Sequence, residues 1–539
     1  MNPSHDPALG RRIAPLFGAF TRDASPGCAV GVQRGGELLF SAGYGLACVE
    51  HRVPIEADTV FRIASVSKQF TVAAVLRLAA RGHLRLDDDV LGLLPELAGL
   101  PQRVSVEQLM RNSSGLPDFL ELLRLGGVGL DARLDRAAML QAIARCRHLN
   151  FEPGSRFLYC NSNFLLLGVL VERLAGCSLG EFLQREIFAP LQMRSTALVV
   201  AADTVVPHLA LPYLRDAAGG LRRAMHGFEH GGEGGLVSNV PDLLAWAAEL
   251  QRPTQLQPDL LAMLSSPTRL SDGANSPYAR GLEHSRVRGL DCVGHGGLWP
   301  GYRTEFLHVP AEALSVVVIS NDAASNPYRL ARQVLETVLP PAAAAPTLPA
   351  ASTLAPYCGR WIHAATPACF DLALVDGEPV ITQWGAPFVL QAQPEGRWLP
   401  MRNACAFELR PDGADALELD LGVGQRLRFE RLQAPVPPAA QLAGTYVCEQ
   451  LGTRWELVAP ADASDDWQVR VQGPLVRAAA PWPLRGLSAD LVEVETPGAW
   501  MRSAQLARVE RDPSGRVVAL TVHSSRIRGL RFERTAGNA

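Results

Sequence analysis

Ser65 and Lys68 stand three positions apart, and at the start of a helix residues so spaced share one face. A serine hydroxyl is a weak nucleophile until a neighbouring base removes its proton, and a neutral amine in hydrogen-bonding reach supplies that base. A helix N-terminus adds free backbone N–H groups and positive potential, which favour an oxyanion and help depress the amine pKa. Alone, a four-residue pattern with two fixed positions arises easily by chance. Composition sharpens it: of the 51 basic side chains all are arginine except Lys68, the single lysine. A chain so biased keeps lysine where a guanidinium fails, and the clearest such demand is a side chain that must lose its proton.

Two further groups of residues suit the same chemistry. Tyr159-Cys160-Asn161 follows a turn at Pro153-Gly154. A tyrosine beside an amine gives and takes a proton, and an asparagine amide holds a substrate carbonyl. His295-Gly296-Gly297 continues Asp291-Cys292-Val293-Gly294, which reads as a strand. Glycines there let a substrate lie against the strand edge, where a backbone N–H completes an oxyanion hole.

The elements that must position these residues are of mixed type. Residues 29–44 read as two strands around Gly35-Gly36, and 305–320 as a strand pair around 310–313. Residues 65–84 read as a helix with Phe70, Ala74 and Leu78 on one face and Gly82 as its stop; further helices fit 106–111, 163–174 and 241–250. Strands at both ends with helices between imply an α+β domain, an antiparallel sheet sharing its core with a helical region. Pro/Ala-rich connectors at 339–356 and 434–440 delimit this first domain, residues 1–338, from two short units at 354–432 and 442–535. The short units are a tandem duplication. One opens Leu354-Ala355-Pro356-Tyr357 and closes Leu427-Arg428-Phe429-Glu430-Arg431; the other opens Leu442-Ala443-Gly444-Thr445-Tyr446 and closes Leu530-Arg531-Phe532-Glu533-Arg534. Short alternating segments between these marks predict small antiparallel β-barrels. The second unit is longer, and its Pro-rich stretch 473–486 is the expected place of a special task.

Composition excludes several classes. A charged fraction of 19%, a hydrophobic fraction of 47% and a net charge of −3 describe a packed globular protein without the basic face that nucleic acid or an anionic membrane requires. The Arg-rich run 526–534 reads as a solvated strand face. Ten scattered cysteines without a C-x-x-C pair indicate neither zinc nor a redox motif. With a polar N-terminus and no long apolar run, the expected location is the cytoplasm.

Ser65-x-x-Lys68, Tyr159-x-Asn161 and His295-Gly296-Gly297, in this order, resemble the three signature motifs of the penicillin-recognising serine hydrolases. Leu84-Arg85-Leu86-Asp87-Asp88-Asp89-Val90, Asn112-Ser113-Ser114-Gly115-Leu116-Pro117 and Gly232-Glu233-Gly234-Gly235-Leu236 are similar to its connecting phrases. The resemblance implies a β-lactamase/DD-peptidase-like α/β/α sandwich. A histidine opening the third motif, and two related barrels after the catalytic domain, resemble the D-stereospecific aminopeptidase branch. That likeness implies removal of an N-terminal D-residue from peptides, amides or esters by a homodimer, with a loop of the last domain binding the substrate amine. Gly296 and Gly297 would line the substrate, the backbone N–H groups of Ser65 and Leu298 would hold the oxyanion, and His295 would tune the proton network. Asp490 is the carboxylate nearest the 473–486 stretch and the candidate for the amine. The chemistry requires no metal or organic cofactor. An esterase or β-lactamase-like hydrolase on the same scaffold, and a non-catalytic sensor of peptidoglycan fragments, are the competing expectations.

Overall fold

The computed structural model describes the chain except residues 1–6, 21–23, 130, 217, 341–347, 364, 401–406, 421–425, 434–435, 463–465, 475, 477–479, 497–502 and 536–539. Gly35 and Gly36, at φ 60° and 89°, turn β1 (Cys28–Arg34) back into β2 (Glu37–Tyr44). Four later strands complete the sheet: β3 (Glu283–Val287), β4 (Leu290–Trp299), β5 (Tyr302–Val309) and β6 (Leu314–Ser320). Their order is β3-β4-β5-β6-β1-β2, antiparallel throughout, so β1 from the start of the chain is zipped to β6, Val30 opposite Val318.

Both faces of the central strands are covered, and side chains alternate between two cores with the period of a strand. Val30, Val32, Val316 and Val318 meet Val334 and Leu335 of helix α4 (Pro327–Val338) on one side. Ala29, Val317 and Ile319 face the larger core on the other, shared with α1 (Lys68–Ala80), α2 (Asn161–Ala175) and α3 (Val240–Gln251). Gly31 permits the close approach of α3; a Cβ there would stand 2.3 Å from Cγ1 of Val240. Nearly every side chain of α1 is buried, so it is a core helix rather than an amphipathic one. Among the described residues no single helix is long and apolar enough to cross a membrane.

Two closed eight-stranded barrels follow, with strands running from Gly359 to Arg431 and from Gly444 to Arg534. Their duplication is visible at the seam. Trp361 pairs with Arg431 and Tyr446 with Arg534, and in each case the guanidinium lies over the aromatic ring, at 4.7 Å and 5.8 Å. The barrels are not beads on a string. Tyr446, Trp455 and Phe532 of the second belong to the same hydrophobic core as the catalytic helices, and Nε1 of Trp455 donates to the carbonyl of Leu125 at 3.1 Å. A largely buried ion pair, Arg360 with Glu493, joins barrel to barrel.

Candidate active site

The segment that carries Ser65 is a sharp turn. Ile63 hydrogen-bonds to Leu236 in the strand Leu236–Ser238, and Ala64 then adopts φ 48°, the left-handed region that costs an L-residue roughly 1–2 kcal/mol. That residue ends extended backbone and starts a 3-10 turn, Ala64–Ser67, ahead of α1. Ser67 ties the turn down: its hydroxyl donates to the carbonyl of Ala64 at 2.6 Å and accepts from the N–H of Leu236 at 3.1 Å. Ser65 is therefore presented from a 3-10 turn rather than from the first turn of an α-helix, and it is partly exposed among buried neighbours.

Lys68 has no exposed surface. Its Nζ lies 3.1 Å from Oγ of Ser65, 2.9 Å from Oδ1 of Asn161 and 2.5 Å from the backbone carbonyl of Glu233. A neutral amine has two N–H bonds and one lone pair. The two fixed acceptors, Asn161 and Glu233, occupy the N–H bonds, and the lone pair is left facing the Ser65 hydroxyl. Burial pushes the Lys68 pKa down from 10.5 to about 7; the charge of Arg526 lowers it further, while Glu233 and Asp118 oppose both. Near neutrality a substantial share of the amine is free to accept a proton.

Asp118 is completely buried and holds Asn161 by two bonds, from its backbone N–H at 2.6 Å and from Nδ2 at 3.0 Å. Because the carboxylate takes the amide nitrogen, the amide oxygen must face Lys68. Asn161 thus serves the lysine through its amide oxygen, while its amide nitrogen is held by Asp118 and is not free for the substrate carbonyl expected of it. Tyr159 lies with its ring 5.0 Å from Nζ of Lys68. Burial raises its phenol pKa, with Ser65 and Arg526 pulling the other way, so the group is protonated at rest.

His295, on β4, is 2% exposed. Its Nδ1 is 2.7 Å from the carbonyl of Gly296, which can only accept, so the neutral ring carries its hydrogen there and Nε2 accepts from the hydroxyl of Tyr278 at 3.0 Å. Beyond Gly294 the neighbouring strand β3 ends, and 295–299 continue paired on one side alone. That open edge passes the nucleophile turn at Gly297, where a Cβ would stand 2.3 Å from the carbonyl of Ile63. Glycine is demanded by this approach.

A cleft of about 900 Å³ surrounds Ser65, Tyr159, Asn161 and His295 through Leu298. All three domains line it: Trp384 and Phe388 come from the first barrel, Arg526 and Arg528 from the second. The arginines ride on the segment between the barrel's last two strands, Val517–His523 and Leu530–Arg534. Asn150 clasps that segment, accepting from the N–H of Arg528 at 2.7 Å and donating to the carbonyl of Arg526 at 3.1 Å. Arg526 reaches Asp118 at 3.4 Å and lies 4.9 Å over the Tyr159 ring.

The 526–534 run departs from the expected solvated strand face: only 530–534 is strand, and Arg526 and Arg528 precede it and line the cleft. The 473–486 stretch is placed differently from the expectation. Residues 475 and 477–479 lie outside the described residues, Trp482–Ser488 is an ordinary barrel strand, and no described residue of the stretch lines the cleft. Asp490 sits in a turn, paired with Arg511 at 2.8 Å and away from the cleft. Asp118 and Tyr278 escaped notice altogether. For Asp118 a signal existed, since it directly follows the Asn112 to Pro117 phrase.

A Beta-lactamase family model matches residues 14–338. The chain belongs to the β-lactamase family. Its similarity to full-length relatives extends through the barrels. It is 30% identical over 454 residues to a D-aminopeptidase of Gluconobacter oxydans, covering 84% of each chain. With a D-aminopeptidase of Brucella ovis it shares 27% identity over 523 residues, 94% of this chain and 96% of the relative. Among solved structures, the octameric penicillin-binding protein homologue from Pyrococcus abyssi superposes with a TM-score of 0.55 at 22% identity, covering 78% of this chain and 99% of its own, a likeness of fold.

Proposed function

We propose that this β-lactamase-family chain is a serine D-aminopeptidase that works through an acyl-enzyme. The observation that carries the chemistry is the buried amine of Lys68, its N–H bonds committed to Asn161 and Glu233 and its lone pair turned to Ser65. The substrate reading is supported by relatives of that name whose similarity spans catalytic domain and barrels alike.

Neutral Lys68 takes the proton of Ser65 as the hydroxyl attacks the substrate carbonyl. The oxyanion rests between the backbone N–H of Ser65 and that of Leu298 on the open edge of β4, with the substrate backbone along Gly296 and Gly297. Tyr159, protonated at rest, passes its proton to the leaving amine and is refilled from Lys68. Water then attacks the ester with the same pair reversed. His295 and Tyr278 brace the strand edge. Negative potential for the substrate ammonium is supplied by Glu229, Glu233 and Glu283, which line the cleft, and Asp490 has no part in it. Action in the cytoplasm and as a homodimer belong to the same reading, the latter open to sedimentation analysis.

The deciding comparison is of kcat/KM for D-Ala-p-nitroanilide, its L-isomer, a short acyl ester and a cephalosporin. The D-anilide leads if the reading holds; a lead for the ester or the cephalosporin favours the scaffold's other hydrolases. Absence of any mass added at Ser65 by a serine acylator would favour a non-catalytic sensor.

A further inference from the structure

The wall of the cleft nearest the second barrel carries more positive than negative charge. Arg124, Arg156, Arg526 and Arg528 all line it. Arg526 is matched by Asp118 at 3.4 Å and Arg124 by Glu121 at 2.7 Å. The ion pairs among the described residues include neither Arg156 nor Arg528. The Arg528 guanidinium is anchored without a carboxylate: it donates to the carbonyls of Ser524 and Ile527 and lies 5.3 Å over the ring of Trp384 from the first barrel.

This arrangement is expensive to keep. A half-buried guanidinium without a carboxylate regains only part of its lost hydration from carbonyls and a ring, and a second cation nearby adds repulsion. Arg528 registers both, its pKa lowered to about 10 by burial and then by Arg156, with Glu121 opposing. Asn150 grips the backbone on either side of Ile527, so the side chain is held in place rather than free to swing out. A positioned guanidinium fork, facing a cleft and short of counter-charge, matches a carboxylate in shape and charge.

We propose that Arg156 and Arg528 form a carboxylate subsite that receives the free C-terminus of a short peptide. The proposal rests on the D-aminopeptidase reading and names its substrate class: di- and tripeptides that begin with a D-residue, bound as zwitterions. The ammonium is met by the carboxylates that line the cleft, and the carboxylate by this pair. A cleft of about 900 Å³ walled by both barrels is of a size for a small ligand, not a long chain.

The test uses D-Ala-Gly and D-Ala-Gly-amide, which are cut at the same bond and differ only in terminal charge. Released D-alanine is measured with a D-amino-acid oxidase couple. The intact protein should prefer the acid by about 10- to 100-fold in kcat/KM, the range expected of charge-assisted hydrogen bonds. Arg156 is exposed, so its replacement leaves folding intact. Arg156→Gln should cut the preference about tenfold, Arg156→Glu should invert it, and Arg528→Gln should act in the direction of the glutamine variant. Equal use of acid and amide by the intact protein, or an unchanged ratio in both Arg156 variants while D-Ala-p-nitroanilide is still hydrolysed, overturns the subsite and leaves the aminopeptidase reading standing. If no D-substrate is hydrolysed the aminopeptidase reading falls, and the subsite is then judged by calorimetric binding of the two dipeptides to Ser65→Ala protein. Binding of the acid no tighter than the amide overturns it.

Discussion

Lys68→Arg keeps a positive charge and roughly the reach of the side chain, and it should slow turnover by orders of magnitude. With the amine pKa near 7, about half of the wild-type molecules hold a neutral base at pH 7. A guanidinium with a pKa of ~12.5 or higher is neutral in roughly one molecule in 10⁵ or fewer at that pH. Burial cannot bridge a gap of that size at a site whose acceptors, Asn161 and the Glu233 carbonyl, favour a cation. Geometry adds to the loss. The three partners of Nζ surround a point, whereas the guanidinium is a planar fork and has no lone pair to offer Ser65. The expected fall in kcat is about 10²–10⁴-fold, the full worth of general-base catalysis. Initial rates with D-Ala-p-nitroanilide between pH 6 and 10 would measure it, with a thermal melt to show that the variant is folded. A folded variant with wild-type rates at any pH in that range would refute the assignment of Lys68 as base.

Three other outcomes follow from the geometry. Arg526→Gln removes a charge that lowers the Lys68 pKa, so that pKa rises, the base is protonated over a wider range, and the acid limb of the kcat/KM profile moves from near pH 7 to higher pH; an unmoved limb would contradict the contact. Gly297→Ala forces β4 away from the nucleophile turn, because its Cβ would stand 2.3 Å from the Ile63 carbonyl, and a displacement of ~1 Å costs on the order of 100-fold in kcat/KM; a fully active variant would show that the edge does not register the substrate. Asp118→Ala strips acceptors from the backbone and side chain of Asn161, for a loss of roughly 1–3 kcal/mol per buried donor in urea unfolding; unchanged stability would mean that other acceptors replace it.

What the sequence declared, and what it withheld, divides along physical lines. The meeting of Ser65, Lys68, Tyr159 and the His295 edge was legible because each motif is local: a spacing of three, a turn before an aromatic, glycines in a strand. The paired barrels were legible because a duplication repeats its own seam, Trp361 with Arg431 and Tyr446 with Arg534. The switch from α-helix to 3-10 turn at Ser65 was not, since it depends on a left-handed Ala64, a residue type with no preference for that conformation. Nor was the meeting of Arg526 with Asp118, 408 positions apart in the chain. Arginines spaced by two around an apolar residue look alike whether they face water from a strand or flank a turn that folds into a cleft.

The common core of the last barrel and the catalytic helices has a bearing on how such a protein can change. Trp455 and Tyr446 are buried in the same mass of side chains as Phe119 and Leu125, the first and last residues of the short helix that Asp118 caps. The segment that bears Arg526 and Arg528 begins and ends in strands rooted there, at Val522 and Leu530. Exchange of the barrel for that of a relative would therefore carry its half of the packing with it, and the recipient helices would have to be recut to match. New substrate ranges are reached more easily by altering the tip of that segment, residue by residue, than by swapping whole modules: in this architecture, recognition is inherited together with the foundations on which it stands.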